Sequence, residues 1–407
     1  MRIRINLIIT LFLSSVILAI YRLPIGPINI SIDRILFLPS LLIIFGYYLK
    51  KGFINYILYA LLLILFVSTI LNISYLKESL TFIPSYVLCL FYFWIAAQYS
   101  TFQNSIHLNR IINFSFWIIL IFSIYGFYYR YVLGEIYFSY PLNNFLGNLS
   151  NDEHKINMIR YYRLFFPLSS APRLGFVAGL IFLYNKFYQN ISKYNRVVNY
   201  GAILVLLLTI SRGPIIALLL SLYGGYFFKD FKENRLSRQF KIIFAGISTL
   251  VLFTILFLNF KEDLGMFERF FRFATDKADN SVSGHLGIRM AVIHEMFSGS
   301  LLDLFFGHGI GLFAYLTGTS SAHSTYFTIF YEQGLLGLII MLGIFLSLVL
   351  MAIKNYLNNP IDENLGLLII ALYFFLIHLA YDATTTFPLW VFLGIIWGKI
   401  NYRKNVV

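Results

Sequence analysis

Apolar runs long enough to cross a membrane recur from one end of the chain to the other, and no other feature constrains its folding as much. A helix needs about 20 predominantly apolar residues to traverse a hydrocarbon core of roughly 30 Å. Twelve stretches qualify: 6–21, 32–49, 53–71, 80–97, 111–133, 164–184, 197–210, 213–228, 240–258, 325–353, 365–380 and 385–400. Of the 407 residues, 59% are hydrophobic and 12% are charged, against about 25% charged in a soluble domain. No water-soluble fold can hide that much apolar surface, so lipid is the solvent and the backbone must satisfy its own polar groups. The expected fold is all-α: one polytopic transmembrane helical bundle of about 12 spans over residues 1–407.

The start, Met1-Arg2-Ile3-Arg4 and then apolar residues to Ile20, resembles a signal peptide. Ala19-Ile20-Tyr21-Arg22 is a poor cleavage sequence, so we read an uncleaved first span. The one cysteine, Cys89, sits in an apolar run as a small packing residue and leaves the redox compartment unreadable.

The formal charge of +13 would point to nucleic acid in a soluble protein. Here its distribution explains it, and no nucleic-acid partner is expected. With the N-terminus in the cytoplasm, 17 of the 31 Lys and Arg fall in short inside loops or tails. The Lys229, Lys232, Arg235, Arg238 and Lys241 group and the Lys399, Arg403 and Lys404 tail are the densest. Short outside connections hold little beyond Arg22, Arg34, Lys77 and Arg212. This is the positive-inside pattern. It puts both termini in the cytoplasm and two long segments, 134–163 and 259–324, on the other side. The second is the large outer loop. Within it, 264–273 reads as an amphipathic helix at the interface, 284–297 as a second short helix, and Gly307-His308-Gly309-Ile310-Gly311 as a flexible turn.

The groups able to do chemistry lie on that outer side. Ser211-Arg212-Gly213-Pro214 separates two short apolar runs and reads as a tight turn, with Pro214 at the first helical position. Arg212 then stands beside a helix N-terminus, a poor place for a cation unless an anion joins it; the plain alternative is an arginine snorkelling to water. Pro172-Arg173 repeats the situation where Pro167, Ser169, Ser170 and Pro172 break the sixth span. An ionisable group there is a functional candidate by default, with an interfacial anchor as the plain alternative. Arg289 lies on the short loop helix with His285 one turn earlier on the same face. His323 stands where the large loop meets the tenth span. Its unperturbed pKa of about 6.5 suits a general base, although a lone histidine is more often structural. Gly334 and Gly337 permit close approach of a neighbour. His378 and Asp382, four apart, could pair structurally.

No metal is expected: there is no His-x-x-x-His, no cysteine pair and no carboxylate cluster at ligand spacing. No cofactor is expected either, and the inside loops are too short for a nucleotide domain.

Three segments together resemble the O-antigen polymerase and O-antigen ligase family of bacterial membrane glycosyltransferases. They are Leu208-Thr209-Ile210-Ser211-Arg212-Gly213; Gly284-His285-Leu286-Gly287-Ile288-Arg289 with Leu304-Phe305-Phe306-Gly307-His308-Gly309-Ile310-Gly311 downstream; and His323-Ser324 followed after nine residues by Gly334-Leu335-Leu336-Gly337. The last is the most specific. The motifs cover residues 197–350, and the first half of the chain carries topology alone. The resemblance implies a polyprenyl-pyrophosphate-linked oligosaccharide as donor and transfer to a sugar hydroxyl at the outer, periplasmic face of the inner membrane. It also implies a metal-independent, inverting reaction. By position, Arg212 and Arg289 would bind the pyrophosphate and His323 would deprotonate the acceptor. Arg173, Arg269, Arg272 and His285 stand by as substrate-binding groups, with Arg269 or Arg272 able to replace Arg289. Membrane lipid is an obligatory partner, and a chain-length regulator protein fits a polymerase.

Polymerase and ligase share donor, arginines and histidine and differ in acceptor. Residues 259–324 hold five basic and seven acidic side chains, a formal charge of −2. That does not invite the anionic lipid A core a ligase must hold, so the reading leans to a polymerase. A flippase for the same glycan would show paired broken helices in two halves, and none are visible. A scaffold would leave the membrane-level arginines without a purpose.

Overall fold

The computed structural model describes residues 2–18, 22–25, 28–48, 52–102, 105–128, 171–188, 193–209, 211–233, 280–317, 322, 324–382, 384 and 386–404. Its helices are α1 (Arg2–Leu18), α2 (Ile32–Ile43, continued by a π turn Ile44–Tyr48), α3 (Phe53–Leu71), the short α4 (Leu76–Ser79), α5 (Ile83–Phe102) and α6 (Ser105–Phe127). Then come α7 (Ala171–Tyr188), α8 (Lys193–Leu208), α9 (Arg212–Lys232), α10 (Asn280–Ser298), α11 (Leu301–Phe306), α12 (Leu312–Thr317), α13 (Thr325–Asn358), α14 (Asp362–Ala380) and α15 (Phe387–Lys404). A described helix occupies eleven of the twelve expected spans; 240–258 lies outside the described residues, as do 134–163 and 264–273.

By length and apolarity three of these helices can cross a membrane: Ile54–Leu71, Thr325–Asn358 and Asp362–Ala380. A fourth crossing exists if Ile73–Ser79 and Ile83–Thr101, bent by 72°, form one broken span. Leu7–Val16, Ile112–Phe127, Arg196–Leu208 and Phe387–Asn401 are shorter apolar helices. One feature departs from an all-helical expectation. Arg22–Ile25 and Ile28–Ser31 pair as an antiparallel two-stranded hairpin, Arg22 opposite Ser31. Pairing satisfies the backbone groups of this stretch.

The outward faces are apolar. Tyr56, Tyr59, Leu63, Phe66 and Ile70 line one side of α3, and Val197, Tyr200, Leu204 and Leu207 line one side of α8, all exposed. Apolar stripes on this scale suit a surrounding hydrocarbon rather than water.

Inside, small residues let helices approach. Gly394 and Gly398 of α15 press on α5. A β-carbon at Gly394 would come within 2.8 Å of the Ala96 Cβ, and one at Gly398 within 2.6 Å of the Ser100 Cβ. This is the small-xxx-small packing typical of bilayers, where side-chain burial alone gives no drive for association. Gly175 of α7 likewise admits Pro214 of α9, at 2.9 Å from where its β-carbon would stand. Gly179 admits Tyr373 of α14. These contacts bind α7, α9 and α14 into one unit.

The bundle has two chemically distinct ends. At one, Lys229 of α9 reaches Asp362 of α14 at 3.5 Å and Lys232 donates to the Leu357 carbonyl of α13. At the other, α9 begins beside the C-terminus of α14, where a β-carbon on Gly213 would be 3.4 Å from the Ala380 Cβ. The second end carries the site.

Candidate functional site

Helix α14 ends at Ala380, and Tyr381 follows it in extended backbone, with Asp382 next, before α15. Two arginines far apart in sequence bond to residues around this helix end, and a third begins the helix that packs beside it. Arg173, in the first turn of α7, donates its Nε to the Tyr381 hydroxyl at 2.7 Å. Arg212 is the first residue of α9, and its neighbour Gly213 packs on Ala380. Arg289, on α10, donates an Nη to the Leu379 carbonyl at 3.2 Å and its Nε to the Ala322 carbonyl at 3.5 Å. The Arg289 guanidinium also lies over the Phe327 ring, 5.6 Å from its centroid. Burial lowers the Arg289 pKa from its ordinary value, but a guanidinium has so high a starting point that it stays charged at neutral pH.

The start of α13 is tied to the same segment. Ser324 Oγ donates to the His378 carbonyl at 3.1 Å. Thr325 gives both its N–H, at 3.2 Å, and its hydroxyl, at 3.0 Å, to the Tyr381 carbonyl. One turn on, the Thr328 hydroxyl donates to Asp382 Oδ2 at 2.8 Å. The other Asp382 oxygen accepts the Thr384 N–H at 3.1 Å and its hydroxyl at 2.8 Å. Burial pushes the Asp382 carboxyl up; these hydrogen bonds and the Arg173 charge act against that.

His323 itself, Arg269 and Arg272 lie outside the described residues. The residues flanking His323 do not: both are buried, Ala322 accepting from Arg289 and Ser324 donating to the His378 carbonyl. His285 is on α10, in the same helix as Arg289, as its spacing predicts. The loop helix expected at 284–297 spans Asn280–Ser298. Pro214 sits third in α9 rather than first, still within the turn where its missing N–H has no intrahelical acceptor. His378 and Asp382 do not pair as expected. The His378 Nδ1 faces the Phe374 carbonyl at 2.7 Å and its ring packs on Phe345 at 4.3 Å, while Asp382 takes threonine donors.

Gly334 does admit a close neighbour, the backbone of α11 at Phe305 and Phe306, and it also breaks its own helix. Helix α13 is two helical pieces, 325–333 and 335–358, joined at Gly334 with φ 68° and ψ −166°. The break frees carbonyls that a continuous helix would use. The His308 N–H donates to Tyr331 O at 2.9 Å and the Gly309 N–H to Glu332 O at 3.0 Å. Ser68 of α3 adds its hydroxyl to the Glu332 carbonyl at 2.8 Å, and Asn72 donates to Gly307 O at 3.1 Å. The Glu332 carboxylate faces the Phe313 N–H at 3.4 Å. Gly307, Gly309 and Gly311 all have positive φ, as this close docking requires. Tyr331 then donates its hydroxyl to Glu295 at 2.9 Å, and Val292, Met296, Phe313, Phe330 and Tyr331 form a small apolar cluster under α10. The docked turn thereby holds α10, and with it Arg289, on the bundle.

Reasoning from sequence missed Tyr381, Thr325, Thr328 and Thr384. For Tyr381 and Thr384 the signal was available as the hydroxyl-rich interruption Tyr381-Asp382-Ala383-Thr384-Thr385-Thr386 between the last two apolar runs.

The cluster offers fixed cations at one end of an apolar bundle, beside the segment that carries a histidine. Such an arrangement can bind and stabilise a polyanion at the edge of a membrane. No protein-family model matches the chain, and no curated protein matches it.

Proposed function

We propose that the chain is a metal-independent inverting glycosyltransferase of the bacterial inner membrane that polymerises a surface polysaccharide. The observation that carries this reading is that Arg173 and Arg289 bond to Tyr381 and Leu379, while α9, which begins with Arg212, packs through Gly213 on Ala380, next to the buried neighbours of His323. In this reading the chain crosses the membrane about twelve times with both termini in the cytoplasm, and the arginine end faces the periplasm.

The donor is an oligosaccharide on polyprenyl pyrophosphate. Its tail lies in lipid against the apolar helix faces, and its pyrophosphate sits among the arginines. The acceptor hydroxyl of a second lipid-linked repeat unit attacks the anomeric carbon from the opposite side. The bond from that carbon to the pyrophosphate oxygen breaks as the new glycosidic bond forms. His323 takes the acceptor proton. Negative charge grows on the leaving pyrophosphate, and guanidinium groups, always charged and bidentate toward phosphate, stabilise it where other enzymes use a metal. The −2 charge of residues 259–324 favours a lipid-linked repeat unit as acceptor over an anionic lipid A core.

Two experiments test this. Purified protein is expected to lengthen a polyprenyl-pyrophosphate-linked oligosaccharide in excess chelator; a rate lost to chelator and restored by magnesium would refute the metal-free mechanism. Deleting the gene is expected to leave lipopolysaccharide cores capped by a single repeat unit. Bare cores with accumulating lipid-linked polymer would identify a ligase instead.

A further inference from the structure

Tyr381 does two things at once. Its hydroxyl accepts the Arg173 Nε at 2.7 Å, and its ring packs on Phe176 at a centroid distance of 5.0 Å. Phe176 is three residues after Arg173 on α7, so ring and guanidinium engage the same side of that helix, and the hydroxyl cannot swing away without breaking the ring contact. A guanidinium held by Nε has its plane set, which is what a bidentate grip on a phosphate needs. Meanwhile the Tyr381 carbonyl accepts both the N–H and the hydroxyl of Thr325, two residues after His323. The C-terminal end of α14 is therefore a joint between an arginine of the anion site and the segment bearing the base.

We propose that Tyr381 is a positioning residue, its hydroxyl orienting Arg173 toward a bound pyrophosphate while its main chain anchors the start of α13. The role of the anion as a leaving group rests on the glycosyltransferase reading; the coupling of Tyr381 to Arg173 does not.

The test is a double-mutant cycle on the purified full-length chain in detergent, reading inorganic pyrophosphate affinity by calorimetry. Tyr381→Phe keeps the ring and the carbonyl and removes only the acceptor. It is expected to weaken binding about tenfold, the loss of one hydrogen bond to a charged group. Arg173→Ala is expected to weaken it at least as much, and the double variant no further than Arg173→Ala alone. In glycan-transfer assays Tyr381→Phe should raise donor KM and leave acceptor KM unchanged, a split that general loosening of the fold would not produce. Unaltered affinity in Tyr381→Phe, or additive losses in the double variant, overturns the proposal. If the wild type transfers glycan while the cycle is additive, only this inference falls. If the wild type binds pyrophosphate with a coupled cycle but transfers nothing, the inference stands and the glycosyltransferase reading falls.

Discussion

Replacing Gly334 by alanine should release the turn at 305–309 and the helices beside it from the bundle. The backbone there has φ 68° and ψ −166°, a region populated almost only by glycine, and forcing another residue into it costs on the order of 1–3 kcal/mol. A β-carbon would also overlap the Phe305 carbonyl and stand 2.5 Å from the Phe306 nitrogen. The turn at 305–309 must then withdraw, losing the His308 and Gly309 N–H bonds to the Tyr331 and Glu332 carbonyls, each about 1 kcal/mol net. The combined penalty on the docked state is roughly 3–5 kcal/mol, a shift of about 150-fold to several thousand-fold toward undocking. Phe313 leaves its cluster with the turn, α10 loses its footing, and Arg289 moves off the Leu379 carbonyl. Hydrogen exchange should therefore rise at His308 and Gly309 and along 301–317, and glycan transfer should fall. Gly343→Ala is the control, since nothing lies within 4 Å of its added carbon and alanine favours a helix by about 1 kcal/mol. Amides at 308 and 309 that stay protected in Gly334→Ala would refute the docking argument.

Other outcomes follow from the same geometry. His323→Ala should abolish transfer at unchanged membrane abundance; a variant retaining most activity would remove His323 as base and turn attention to His285. Arg289→Lys and Arg212→Lys keep charge but lose the fork, so each should cut turnover at least tenfold, while Arg269→Lys stays near wild type; the reverse pattern for 289 and 269 would reassign the clamp. Gly398→Leu forces side-chain volume into the α5–α15 contact and should lower stability by about 1–3 kcal/mol, read as a drop in detergent melting temperature. An unchanged melting temperature would mean that α15 is not seated on α5 through Gly398.

The helical bundle was legible because it depends on a one-dimensional property. Apolar runs and basic loops can be counted along the chain, and the spans expected at 53–71, 325–353 and 365–380 follow from local hydropathy alone. The arginines were legible for a related reason: a guanidinium such as Arg173 or Arg212 beside a helix start in an apolar setting is costly enough to stand out without a structure. What Gly334 does was not legible. Two glycines three apart read as close packing, which Gly334 does allow for α11, but the pattern gave no sign that Gly334 also breaks α13 and turns its carbonyls to His308 and Gly309. Nor could the local spacing of His378 and Asp382 reveal that Asp382 takes Thr328 and Thr384 instead. Hydropathy and charge reside in each residue and survive in the bare sequence. Hydrogen-bond partners between residues such as 173 and 381, or 289 and 379, are set by which helix ends meet, and only the three-dimensional packing of α7, α10, α13 and α14 determines that.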